Sequence, residues 1–150
     1  MEYNEIRRIS KELRIGGVSI GGKSPIAIQS MTNTDTRDFA ATSAQIERLA
    51  KPGCDIVRVS VYDDACADNV CALVDASSVP LVADIHFDHK LAIRSVGNGI
   101  SKLRINPGNI GKKKKKKKLV AVCLDKKVPI RIGINSGSLE KKLLAKYGGP

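Results

Sequence analysis

The stretch "PLVADIHF" (80–87) has the length of one strand and splits cleanly by parity, with Leu81, Ala83 and Ile85 on one face and Asp84 and His86 on the other. Four more runs repeat the split. In "DIVRVSV" (55–61), Val57, Val59 and Val61 oppose Arg58 and Ser60. In "SKLRINPG" (101–108), Leu103 and Ile105 oppose Arg104 and Asn106. In "PIRIGINSG" (129–137), Ile130, Ile132 and Ile134 oppose Arg131 and Asn135, and in "PIAIQSM" (25–31), Ile26 and Ile28 oppose Gln29. A parallel sheet covered by helices on both faces is apolar on both, so a doubly wound open sheet does not account for one polar face. A (β/α) barrel does: the apolar set faces the surrounding helices and the polar set enters the lumen near its C-terminal mouth.

The runs start about 20 to 30 residues apart, and the segments between them read as helices: Arg37 to Ala50 with Phe39, Ile46 and Leu49; Asp64 to Ala76 with Val70, Leu73 and Val74; Asp88 to Val96; and a segment ending "LVAVCLDKK". This alternation implies βαβ units and a parallel sheet, and "KPGCD", "GNG" and "KKVP" punctuate the helix ends. Upstream, "ELRIGGVSIGG" predicts a hairpin closing the bottom of the barrel, with Gly16 and Gly17 supplying positive φ angles. A closed barrel takes about eight units. Five are present, so the expectation is an α/β fold, a truncated TIM-type barrel over residues 25–150 behind an N-terminal segment and hairpin over 1–24, with an exposed edge at the fifth strand.

The net charge of +11 resembles that of a nucleic-acid binder, but it is local. Setting aside Lys112 to Lys118 leaves 19 of the 26 basic residues against 15 acidic ones. Aromatic content of 3% with no Trp offers few platforms for stacking bases. The segment from Lys112 to Lys127 is long enough for about three helical turns and a loop, which places the lysines at the start of a helix outside the barrel. There they repel one another and oppose the dipole, so the first turn is expected to fray. No segment approaches the roughly 18 apolar residues of a membrane span, and "MEYNEIRRISKELRI" carries charges where a signal peptide is apolar, which predicts a cytoplasmic protein. Cys54, Cys66, Cys71 and Cys123 form no C-x-x-C pair and read as reduced, mainly buried apolar residues, with no metal site in this chain.

On the polar face, Arg58, Arg104 and Arg131 come from three strands and converge on one mouth. Burying three guanidiniums without counter-anions is expensive, and their planar donor forks suit phosphate. The competing reading pairs each Arg with an internal carboxylate, and Asp84 is available for one of them. Asp84 and His86, at i and i+2, point the same way and are suited to proton transfer or to orienting substrate hydroxyls. His89, at a helix start, reads as structural. The turns "NPGN" and "NSGS" follow strands and precede helices, where free amides can hold an anion.

"PIAIQSMTNTDTRD", "GCDIVRVSV", "PLVADIHFDHKLAI", "KLRINPGNIG" and "VPIRIGINSGSLEKKLLAKYG" together resemble the N-terminal half of the 4-hydroxy-3-methylbut-2-enyl diphosphate synthase family, from about Arg14 to Pro150. The resemblance implies a TIM-type barrel followed by a smaller domain holding a 4Fe-4S cluster through three cysteines and a glutamate. It implies reductive opening of 2-C-methyl-D-erythritol 2,4-cyclodiphosphate in isoprenoid biosynthesis, with electrons from flavodoxin or ferredoxin, in a homodimer whose cluster domain closes over the partner's barrel. By matching motifs it implies that Arg58, Asp84, His86, Arg104, Asn106, Arg131 and Asn135 line the substrate site; of these, Asp84 and His86 are expected to be catalytic and the other five substrate-binding. None of the four cysteines falls where the family's cluster ligands stand, so this stretch alone is expected to be inactive. The competing functions are another phosphate-binding barrel resembling dihydropteroate synthase, and a nucleic-acid binder using the lysine run.

Overall fold

The computed structural model describes residues 8–139 and 141–148, so Met1 to Arg7 of the expected N-terminal segment lie outside the described residues. A hairpin comes first, β1 (Leu13–Ile15) pairing antiparallel with β2 (Val18–Ile20). Strands and helices then alternate: β3 (Gln29–Met31), α1 (Phe39–Ala50), β4 (Ile56–Ser60), α2 (Asp64–Ala76), β5 (Leu81–Ile85), α3 (His89–Gly97), β6 (Lys102–Ile105), α4 (Lys113–Asp125), β7 (Ile130–Ile132), a 3-10 turn (Ser136–Ser138) and α5 (Lys141–Tyr147).

The five later strands form one parallel sheet in the order β3-β4-β5-β6-β7. That order never reverses. A doubly wound sheet reverses at a switch point, whereas strands laid down in sequence make a barrel wall. The packing agrees, because one face carries a single core: Val57, Val59, Val61, Leu81, Ala83, Ile85, Leu103 and Ile105 meet Ile46 of α1, Val70 and Leu73 of α2, Ala92 and Val96 of α3, and Leu119 and Cys123 of α4. Among the described residues, the opposite face holds a small apolar cluster of Ile15, Ile56 and Val82 with Val18, Ile20 and Ala27 against it. Hairpin residue Ile15 is therefore the plug of the lumen floor. A side chain on Gly16, φ +56°, would approach Pro80 Cβ to 2.9 Å, so the turn seats directly on the N-terminal end of β5.

Local chemistry explains where the helices begin. The carboxylates of Asp38, Asp63 and Asp88 accept from the amides of Ala41, Cys66 and Lys90 and cap α1, α2 and α3. The α4 helix lacks such a cap, with Lys112 at the N-cap and no side-chain hydrogen bond there. It is nonetheless helical from Lys113, held by its buried far half at Leu119 and Cys123, an instance of packing outweighing poor local chemistry.

Some expectations are corrected. Gly16 alone in the hairpin turn has a positive φ and Gly17 does not, the pattern of a II′ turn. Arg37 is not helical: α1 starts after Asp38, leaving Arg37 to pair with Asp35. The first strand is shorter than "PIAIQSM", and Ile26 and Ile28 of its apolar parity are 67% and 60% exposed because β3 is an edge. Strand β7 is the other edge, with Ile132 and Ile134 exposed.

Candidate active site

Asp84 organises the mouth. Parallel pairing sets Asp84 beside Arg104 on β6 and beside Ser60 on β4. The Asp84 carboxylate lies 2.9 Å (Oδ1) from Arg104 Nη1, 3.5 Å (Oδ2) from Arg58 Nε and 3.5 Å (Oδ1) from His86 Nε2. Asp84 and Arg104 are both buried, while the His86 ring is partly open to the mouth. Arg58 is held from its other side as well, donating from Nε and Nη2 to Met31 Sδ at 3.2 and 3.0 Å. The Arg104 guanidinium lies against Gly133, where a Cβ would come within 2.5 Å of Nε. The rival readings of the arginines thus divide the set. Asp84 serves two of them at once, and Arg131, one rung across from Arg104, is exposed and has no carboxylate partner among the described residues.

The two asparagines meet through a residue that motif reading passed over. Asn106, 2% exposed, donates from Nδ2 to Ser138 Oγ at 2.9 Å and accepts at Oδ1 from the Gly108 amide at 3.1 Å. Ser138 Oγ also accepts from the Asn135 amide and donates to the Asn135 carbonyl. Ser138 therefore stitches the "NPGN" and "NSGS" turns together. Asn106 spends its amide holding this arrangement, whereas Asn135 keeps an exposed side chain at the rim.

A second polar cluster edges the mouth over β3 and β4. Asp35 accepts from Arg37 and from Tyr62 Oη, the latter at 2.7 Å, and Arg37 lies over the Tyr62 ring at 5.4 Å from its centroid. The Arg37 guanidinium, then the Tyr62 hydroxyl, hold the Asp35 carboxyl well below the usual carboxylate range, and the same hydrogen bond raises the Tyr62 phenol. Met31, Ser138, Gly133 and this rim had no strand-parity signal strong enough to single them out. Lys102 did, since it shares the face of Arg104 and Asn106. His89 is buried at the head of α3 with Nδ1 3.2 Å from Asp88 Oδ1, a structural position.

The cysteines do not suit an iron-sulfur cluster. Cys54, Cys66 and Cys123 are buried in separate parts of the wall, Cys71 is exposed on α2, and no group of three or more His, Cys, Asp or Glu side chains among the described residues is arranged to hold a metal. The Cys54 thiol is engaged with the Ile56 carbonyl at 3.1 Å. No helix among the described residues is long and apolar enough to cross a membrane.

The sequence model of the GcpE TIM-barrel domain matches residues 10–150. The chain is similar to the 4-hydroxy-3-methylbut-2-en-1-yl diphosphate synthase (flavodoxin) of Desulfotalea psychrophila, at 53% identity over 144 residues, covering 96% of this chain and 40% of the relative. Proteins of the same name from Caldanaerobacter subterraneus and Magnetococcus marinus are 52% and 56% identical, covering 97% and 96% of this chain and 41% and 39% of their own lengths. The chain thus spans about 40% of the length of the curated relatives it matches. Because the matched residues run through every strand from β1 to β7 and the sheet has the order of a barrel wall, the chain belongs to the GcpE TIM-barrel family.

Proposed function

We propose that this chain is the N-terminal, substrate-binding barrel portion of a 4-hydroxy-3-methylbut-2-enyl diphosphate synthase, which converts 2-C-methyl-D-erythritol 2,4-cyclodiphosphate to (E)-4-hydroxy-3-methylbut-2-enyl diphosphate. The observation that carries this reading is the charge imbalance at the mouth: Asp84 binds both Arg58 and Arg104, and Arg131 is left for an anion. A pre-positioned guanidinium pair orients a diphosphate without reorganising when it arrives.

In this reading Arg58, Arg104 and Arg131 grip the diphosphate and the exposed Asn135 amide contacts the ligand at the rim. Asn106 acts by holding its turn. Opening the ring breaks a carbon–oxygen bond to phosphate and releases a hydroxyl as water, so an electron pair and a proton must both be supplied. In this reading His86, 3.5 Å from Asp84 and partly exposed, holds that proton on its imidazole. A 4Fe-4S cluster supplies the electrons when bound, fed by flavodoxin or ferredoxin, and its ligands are residues other than the cysteines of this chain. The working enzyme is a cytoplasmic homodimer in which one subunit's cluster domain covers the other's barrel.

The test uses the full reading frame, purified without oxygen and supplied with reduced flavodoxin and the cyclodiphosphate. Turnover is expected, with affinity falling roughly 10- to 100-fold in Arg104→Met, as for loss of hydrogen bonds to a charged group. A protein with its cluster intact that neither binds nor converts the cyclodiphosphate would falsify the reading.

A further inference from the structure

Lys102 is a lumen-face cation outside the cluster that Asp84 forms with Arg58 and Arg104. It opens β6 on the lumen face, two residues before Arg104 and therefore about 6 to 7 Å deeper along the strand. Among the described residues its Nζ has one hydrogen-bond partner, the neutral Gln29 Oε1 at 3.4 Å. Asp84, the lumen-face carboxylate of the neighbouring strand β5, is already shared between two guanidiniums. Lys102 and Arg131 also line one cavity of about 280 Å³, floored by Leu13, Ile15 and Ile20 of the hairpin. A half-buried ammonium beside a guanidinium, above an aliphatic floor, carries repulsion and desolvation that no carboxylate among the described residues offsets.

We infer that Lys102 is a further anion-binding residue of this site, taking one phosphate of the ligand together with Arg131, with which it shares the cavity. The inference rests on the reading proposed above and adds to it a cation on the floor side of Arg104. A lysine suits the deeper place, because its four-carbon stem can lie along the aliphatic floor while the ammonium reaches upward as a compact point charge. Burial, and then the positive charges of Arg131 and Arg58, lower the Lys102 ammonium from its ordinary value, the condition of a cation waiting for its counter-ion. A purely structural Lys102, retained for its hydrogen bond to Gln29, makes the opposite prediction for stability.

The two roles separate in the full-reading-frame protein carrying Lys102→Met, Lys102→Gln or Lys102→Arg. Affinity for the cyclodiphosphate, and for inorganic pyrophosphate as a second probe, is measured beside the Tm of the ligand-free protein. Both uncharged variants are expected to bind each probe at least 10-fold more weakly, with a ligand-free Tm equal to or above that of the unmodified protein, and Lys102→Arg is expected to restore binding to within a few-fold. Unchanged affinity in Lys102→Met, or a lower Tm with binding retained in Lys102→Gln, overturns the inference. If the unmodified protein binds pyrophosphate and not the cyclodiphosphate, the functional reading fails, and the pyrophosphate data still decide for or against Lys102.

Discussion

Strands β6 and β7 carry nearly the same text, "LRIN" at 103–106 and "IRIGIN" at 130–135, yet meet opposite fates. On β6, Leu103 is fully buried and Arg104 is held by Asp84. On β7, Ile132 is 62% exposed and Arg131 has no ion pair among the described residues. The alternation is identical. What differs is the number of neighbours: β6 has a strand on each side and helices behind it, and β7 has one neighbouring strand. Parity tells which way a side chain points, and pairing decides whether that direction is interior.

The largest expected break in this comparison comes from Asp84. Asp84→Ala leaves two guanidiniums without their carboxylate and is expected to cost about 3–5 kcal/mol, as for removing one partner of a buried pair. Arg131→Ala is expected to cost less than about 0.5 kcal/mol while still weakening ligand binding. Denaturant unfolding of both variants measures the contrast, and equal costs would show that the two arginines are not differently held. Next, Leu103→Ala is expected to cost about 2–5 kcal/mol, against less than about 0.5 kcal/mol for Ile132→Ala in the 150-residue chain. Any strand that pairs with β7 should raise the Ile132 figure toward that of Leu103, so the difference reports on whether the edge is covered.

Gly133 joins the two strands, since its missing side chain is what lets Arg104 lie where it does. Gly133→Ala is expected to cost about 1–3 kcal/mol through overpacking and to reduce phosphate affinity with it. Lost stability with unchanged affinity would mean that Arg104 can bind from elsewhere. The smallest effect is at the rim. Asp35 titrates below its unfolded value of 3.8, so its contribution is present above that value and is lost as pH falls through the lower, folded one. Tyr62, raised by the same hydrogen bond, is expected to ionise above the ordinary 10.0 in an ultraviolet titration, and Asp35→Asn should bring it back.

The barrel was legible because strand parity and spacing are covalent facts: the boundaries of α2 at Asp64 and Ala76 can be read directly, and β5 within "PLVADIHF" is displaced by only a residue or two. The partnership of Asp84 with two arginines at once was not legible, because it depends on register across three strands. Nor was Ser138, whose role arises from the approach of two loops separated by about thirty residues. Met31 escaped notice because a thioether is an unusual acceptor. Lys102 was the readable omission, lying two positions from Arg104 on the same face.

The Ser138 stitch has a consequence for motion. One hydroxyl accepts from Asn106 and from the Asn135 amide and returns its proton to the Asn135 carbonyl, so the turns after β6 and β7 cannot fluctuate independently without breaking it. A ligand that settles against either turn will therefore quiet both. The entropy lost in ordering the second turn has already been spent by the fold, and the grip of two separate loops behaves as that of a single jaw.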